Sequence, residues 1–373
     1  MTRTRRILES APGPRVRIGE RDYLAFASND YLGLANAPAL VEAACEAARR
    51  VGVGAGASHL VVGHHALHEA LETELARFVA PCADARGLLF SSGYLANLAI
   101  LTALAGRSDA IFADRLNHAS LVDGALLARA KLHRYPHVDV AAVDAALARS
   151  TAHRRLIVTD AVFSMDGDVA PLRDLLALAE AHDATLVVDD AHGFGVLGEG
   201  RGSLAHFGLA SPRIVYMGTL GKAAGVAGAF VAADPRVVET LVQFARPYVY
   251  TTAAPPMLSA ALRTSLDIIR ADASRRTHLG RLIASLRDAL ADLAWKLLPS
   301  STPIQPLLVG DASAAVRISD ALAVRGILVP AIRPPTVPPG TARLRISLSA
   351  AHTLADVDAL AGALHEVAAE LDT

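Results

Sequence analysis

The sequence predicts an α/β fold: a large domain on a mostly parallel sheet, followed by a smaller C-terminal α+β domain. Three observations predict it. Short apolar runs of strand length recur between residues 88 and 232, separated by segments of helical period. Several of those runs end in Asp, Ser, Thr or Gly, the kinds of residue that meet ligands at the carboxyl ends of strands in open α/β sheets. After Pro255-Pro256 the pattern changes to long helical stretches with few strands.

Residues 1–40 read as an N-terminal arm, broken at Pro12, Gly13 and Pro14, with a short strand over 23–27. The large domain is expected over 41–260. It opens with a helix over 42–50 and the glycine-rich Gly52-Val53-Gly54-Ala55-Gly56. Strands are expected at 88–91, 110–113, 156–160, 185–189, 213–218 and 229–232, with helices at 93–105, 172–182 and 235–245. The small domain is expected over 261–373. A helical stretch runs to Trp295, then come strands at 304–309, 327–329 and 343–348, a helix ending at Arg325, and a final helix.

Composition narrows the function classes. The chain has 373 residues, 52% of them hydrophobic and 20% charged, with a formal net charge of -1. That balance argues against a nucleic-acid surface or an acidic tail. Arg3, Arg5 and Arg6 are not followed by the apolar segment of a secretory signal, and no apolar run reaches the roughly 18 residues of a membrane span. Cys45 and Cys82 form neither a disulfide framework nor a zinc spacing. A reducing, cytoplasmic setting is expected.

The chemistry centres on Lys222. It stands alone among small residues just after the apolar Ile214-Val215-Tyr216-Met217. An earlier apolar run ends in Asp189-Asp190-Ala191-His192-Gly193. A lone lysine after a strand is ordinarily a solvated charge; apolar surroundings would depress its pKa. A lysine able to lose its charge, with a carboxylate that keeps its own, is what a pyridoxal phosphate (PLP) site needs. Asp160, Asp189, Thr219 and Ser91-Ser92-Gly93 all fall at strand ends. Each is also an ordinary cap or turn residue, so the convergence is what carries weight. Ser91 to Asn97 reads as a strand-to-helix turn, suited to a phosphate or to a plain serine cap. His118 could stack on a flat cofactor or be a surface histidine; His192 lies close after Asp189.

Gly193-Phe194-Gly195-Val196-Leu197-Gly198 matches G-x-G-x-x-G, but Gly-Glu-Gly-Arg-Gly follows where a helix should open, so no dinucleotide site is expected. His64, His65 and His68, expected on a helix, lack the spacing of a metal motif, and no metal is expected.

Longer motifs carry a family resemblance. They include Ser28-Asn29-Asp30-Tyr31-Leu32-Gly33, Asn117-His118-Ala119-Ser120-Leu121, Phe163-Ser164-Met165-Asp166-Gly167-Asp168, Thr219-Leu220-Gly221-Lys222 and Arg333-Pro334-Pro335-Thr336-Val337-Pro338. Over nearly its whole length the chain resembles the α-oxoamine synthases, PLP-dependent enzymes of fold type I with a seven-stranded sheet. The resemblance implies that Lys222 holds PLP covalently and then moves protons, that Asp189 pairs with the ring nitrogen, and that His118 stacks on the ring. It places His192 and Ser164 near the phenolic oxygen, and Gly93, Tyr94 and Thr219 near the phosphate. Asn29, His118, Thr336 and Arg345 would meet the substrate, with Arg345 on the amino-acid carboxylate. Arg3 would meet the acyl group, with Arg5 an equal candidate. The family works as a homodimer with shared active sites, and Thr251-Thr252 resembles the segment that reaches the partner's phosphate. The implied reaction joins L-alanine to a pimeloyl group carried on coenzyme A or acyl carrier protein, with loss of carbon dioxide, in biotin biosynthesis. The sister reactions use glycine, as in 2-amino-3-ketobutyrate CoA ligase and 5-aminolevulinate synthase.

Overall fold

The computed structural model describes residues 5–371. The chain divides into two compact units. The larger holds Pro38–Phe163 and Val169–Ala271. The smaller holds the described residues up to Ala37, the segment Ser164–Asp168, and the described residues from Asp272 on.

The large unit is built on a seven-stranded sheet. Its strands lie in the order Arg86–Phe90, Ala229–Ala233, Ile214–Thr219, Thr185–Asp189, Arg155–Asp160, Ala110–Asp114, Lys131–Tyr135. Ala229–Ala233 runs antiparallel to both neighbours, and every other pairing is parallel. Three of these strands, Ala110–Asp114, Ile214–Thr219 and Ala229–Ala233, are buried at every position. Such strands need cover on both faces, which explains their unbroken apolar character. The helices Gly93–Leu104, Ala119–Ala128 and Pro235–Phe244 share one core with the sheet through residues such as Ile100, Leu121, Leu241, Val158 and Val231.

Six of the seven strands are the ones the apolar runs predict. The seventh, Lys131–Tyr135, carries Lys131, His133 and Arg134 and has no strong apolar signal. It lies at the sheet edge, where charged side chains guard against unwanted pairing. The same position that makes the strand polar hides it from a pattern reading.

The small unit alters the expected domain limits. The residues expected to form a separate arm are woven into it instead. Arg21–Ala25 pairs antiparallel with Arg15–Ile18 and parallel with Ile327–Leu328. The Arg15 guanidinium meets Asp356 at 2.8 Å. The second limit falls at Ala271, not near 260, because the helical stretch after Pro255 is two helices. Pro256–Ala271 belongs to the large unit and Ser274–Ala289 to the small one. Between them Asp272 accepts the Ser274 N–H at 3.0 Å where the second helix begins. The rest of the small unit is an antiparallel sheet ordered Lys296–Leu297, Ile304–Gly310, Ala342–Ser347, Ala331–Ile332, with helices Ala312–Val324 and Leu354–Leu371.

Candidate active site

Three parallel neighbours of the large sheet bring the site together. Asp160 and Asp189 pair in register at the ends of their strands, and Asp189 pairs with Met217 on the next strand. The chain leaves that third strand at Thr219 and reaches Lys222 three residues later. One cavity is lined by Gly93, Tyr94, Asn97, His118, Ser120, Asp160, Asp189, His192, Thr219 and Lys222, all of the large unit.

Lys222 and His192 meet in it, Nζ to Nε2 at 2.9 Å. Asp189 is buried, and its two oxygens accept from separate donors. The Asn97 amide donates to Oδ2 at 2.7 Å and the Ala191 N–H to Oδ1 at 3.0 Å. Both oxygens of this buried carboxylate are thus met by donors. Asp160 has the opposite setting. Burial, and then the charge of Asp189, push its carboxyl well above the usual carboxylate range, although the His118 N–H donates to it at 2.7 Å. Two neighbouring buried carboxylates do not both ionise readily.

The loops are pinned by side chains. Asn117 donates to the Val158 carbonyl at 2.8 Å and accepts the Asp160 N–H at 3.1 Å, which ties the His118 turn to a strand. His118 caps the helix Ala119–Ala128, its ring accepting the Ser120 N–H at 3.3 Å. Burial lowers the His118 pKa and keeps the imidazole neutral. Ser92 caps the helix Gly93–Leu104 by accepting from the Leu95 N–H. Gly93 opens that helix, so its first amides and the positive end of the dipole stand at the cavity, a setting for a phosphate. Tyr94 donates its hydroxyl to Asp123, and Thr219 donates to the Gly228 carbonyl at 3.2 Å.

Comparison with known proteins places the chain in a family. The pattern of the family "Aminotransferase class I and II" matches residues 21–364. An 8-amino-7-oxononanoate synthase from Nitrosomonas europaea is 61% identical over 98% of this chain and 95% of its own length. The chain belongs to the 8-amino-7-oxononanoate synthase family. The crystal structure of the Francisella tularensis member agrees in fold with a TM-score of 0.79, at 32% identity over 94% of this chain and 99% of that one. An SPT structure holding PLP as its internal aldimine agrees with a TM-score of 0.92, at 30% identity over 97% of this chain and 92% of that one. The fold is PLP-dependent fold type I, and this family member is a PLP-dependent acyltransferase.

The cavity fits the cofactor on its own chemistry. It offers a primary amine, a carboxylate held by two donors, a neutral imidazole and a helix N-terminus. Lys222, Asp189, His118, His192, Gly93, Tyr94 and Thr219, singled out in the sequence, are all brought together. Thr252 is in the same unit but lines a different, apolar cavity with Phe90, Leu220 and Pro255.

Other predicted residues belong to the small unit. Arg345, on the strand Ala342–Ser347, is buried, with its guanidinium held on three sides. It donates to the Ser164 carbonyl at 2.5 Å, to Asn29 Oδ1 at 3.3 Å and to Ser347 Oγ at 2.7 Å. Asn29 and Ser164 are therefore neighbours of Arg345. Thr336 is exposed in the turn after Arg333, donating its N–H to that residue's carbonyl at 3.1 Å. Arg5 is exposed; Arg3 lies outside the described residues.

Two contributors escaped the sequence reading. Asn97 and Ser120 are fully buried and bond to each other at 2.9 Å. An asparagine on a helix that otherwise reads Leu95, Ala96, Leu98, Ala99, Ile100 was the available signal. The histidines also differ from expectation. The helix Ala66–Val79 starts after His64, and His65 caps it. His59, His64 and His68 then come together with ligand-type atoms within 4.8 Å. Their nitrogens serve protein hydrogen bonds: His59 to His64 at 2.8 Å, His64 to Glu69 at 3.1 Å and His68 to the Ala254 carbonyl at 2.8 Å.

Proposed function

We propose that this chain condenses L-alanine with a pimeloyl thioester to give 8-amino-7-oxononanoate, releasing carbon dioxide and the thiol, in biotin biosynthesis. The observation that carries the reading is near-full-length identity of 58–61% to proteins of that name, with Lys222, His192, Asp189 and His118 in one cavity.

Bound PLP supplies an electron sink for the α-carbon of the amino acid. The chain's residues hold it and manage protons. Lys222 anchors it covalently through Nζ. Asp189 would pair with the ring nitrogen, His118 would lie against the ring, and His192 and Ser164 would serve the phenolic oxygen. Gly93, Tyr94 and Thr219 serve the phosphate, with Thr252 of a partner subunit in a homodimer. Once alanine has displaced Lys222 from the cofactor, the freed Nζ amine would remove the α-proton. The α-carbon then bonds to the pimeloyl carbonyl carbon and the thiol leaves. The alanine carboxylate departs as carbon dioxide, and Lys222 Nζ returns a proton to the carbon. Arg345, with Asn29, binds the alanine carboxylate, Thr336 contacts the substrate, and Arg3 or Arg5 meets the acyl group. The setting is cytoplasmic; among the described residues no helix is long and apolar enough to cross a membrane.

Purified protein with PLP, offered L-alanine or glycine and pimeloyl groups on coenzyme A or on carrier protein, tests this by mass spectrometry of the product. The expected product forms with L-alanine. Product from glycine alone overturns the reading.

A further inference from the structure

The cavity contains a chain of hydrogen bonds whose direction follows from its chemistry. Asn97 Nδ2 bonds to Asp189 Oδ2 at 2.7 Å and to Ser120 Oγ at 2.9 Å, while Asn97 Oδ1 is buried with no hydrogen-bond partner among the described residues. Turning the amide over would press Oδ1 against a carboxylate oxygen, two acceptors with no proton between them. An ionised Asp189 therefore holds Nδ2 inward, and both amide hydrogens are used. Ser120 Oγ accepts one of them and retains its own hydrogen. His118 Nδ1 lies 2.7 Å from that oxygen and accepts the Ser120 backbone N–H at 3.3 Å. A ring nitrogen that accepts a backbone N–H carries no proton, so the neutral ring holds its proton on Nε2 and the Ser120 hydroxyl donates to Nδ1.

We propose that Asn97 and Ser120 are positioning residues that transmit the charge of Asp189 to His118, fixing it as the Nε2–H tautomer in the cavity. The carboxylate assigned to the ring nitrogen and the histidine assigned to the ring face thus form one unit. The inference deepens the proposed function and rests on its assignment of Asp189 and His118. It also explains why an amide stands fully buried on an apolar helix with one oxygen unpaired: Asp189 can be met there only by a donor. Burial holds His118 neutral, which leaves the tautomer as its remaining freedom.

The test reads the tautomer directly. Full-length holoprotein carrying isotope-labelled histidine is studied by long-range proton–nitrogen NMR, with the His118 signal identified by its loss in His118→Asn. The wild type should show a single Nε2–H form. Ser120→Ala and Asn97→Leu should lose it, giving the Nδ1–H form or a mixture, whereas Ser120→Thr, which keeps the hydroxyl, should retain it. Titrating apoprotein with PLP should show Asn97→Leu binding about tenfold more weakly, one bond to a charged group. Nδ1–H on His118 in the wild type overturns the proposal, whether or not the variants fold. Retention of Nε2–H in both Ser120→Ala and Asn97→Leu overturns it as well. Failure to form product from L-alanine would instead sink the proposed activity and leave this result standing.

Discussion

Lys222 Nζ lies 2.9 Å from His192 Nε2, and both side chains line the cavity that ends the Asp189 strand. At that distance the amine and the imidazole nitrogen share one hydrogen bond. Lys222→Ala should therefore lose both the covalent hold on PLP and the proton carrier. Turnover should fall by about 10²–10⁴ or more. The visible absorbance of the bound cofactor should shift to that of free PLP; an unchanged spectrum would remove Lys222 from its role.

The loop after Asp189 encloses a second carboxylate. Asp190 accepts from the Ser203 N–H at 2.6 Å and from the Tyr216 hydroxyl at 2.9 Å. A Cβ on Gly193 would come within 2.0 Å of Asp190 Oδ1, and one on Gly202, at a φ of 93°, within 2.3 Å of Oδ2. Gly193→Ala and Gly202→Ala should each lower stability by about 1–3 kcal/mol or more. Gly13→Ala, where a Cβ would meet nothing within 4 Å, is the control. Thermal unfolding checks it, and equal Tm values for all three would refute the crowding argument.

Glu72 predicts a pH dependence. Burial pushes its carboxyl from 4.5 up to about 8, while its oxygen accepts the Leu89 N–H at 2.8 Å. The folded state then holds this proton more tightly than the unfolded chain does. Its contribution to stability is full below the unfolded pKa and falls as pH rises from about 4.5 to about 8. Glu72→Gln keeps the acceptor and cannot ionise. Its Tm relative to wild type should rise across that window and level off above it. A Tm difference independent of pH would show that Glu72 ionises as freely in the folded protein as outside it.

Arg345 joins Asn29, Ser164 and Ser347 within the small unit. Lysine cannot reproduce that fork of donors. Arg345→Lys should raise KM for L-alanine more than it lowers kcat, and should lower Tm because the Ser164 carbonyl loses its partner. Steady-state kinetics across alanine concentrations separate the two; an unchanged KM would exclude Arg345 from carboxylate binding.

How much of this could be read in advance differs from element to element. The buried strands were legible because burial on both faces demands continuous apolar residues, as at Ile214–Thr219. Lys131–Tyr135 was not, since an edge strand answers to solvent. The break at Asp272 and Ala273 was hidden because it carries no proline or glycine. Asn97 closes the predicted turn from Ser91, but its role comes only from Asp189 and Ser120, which the fold brings beside it.

The sequence by itself determined the α/β class and picked out Lys222 and Asp189 as candidates, because local patterning and residue chemistry act over a few neighbouring positions. Tertiary structure decided what those residues do to one another. Asn97, Ser120, His118 and Asp189 span from residue 97 to 189 and come from two helix starts and a strand end. Hydrogen bonds act over about 3 Å, a scale on which sequence separation carries no information. The same reason governs Arg21–Ala25, whose partner Ile327–Leu328 lies at the other end of the chain. Only the folded sheet could show that the expected arm is part of the small unit.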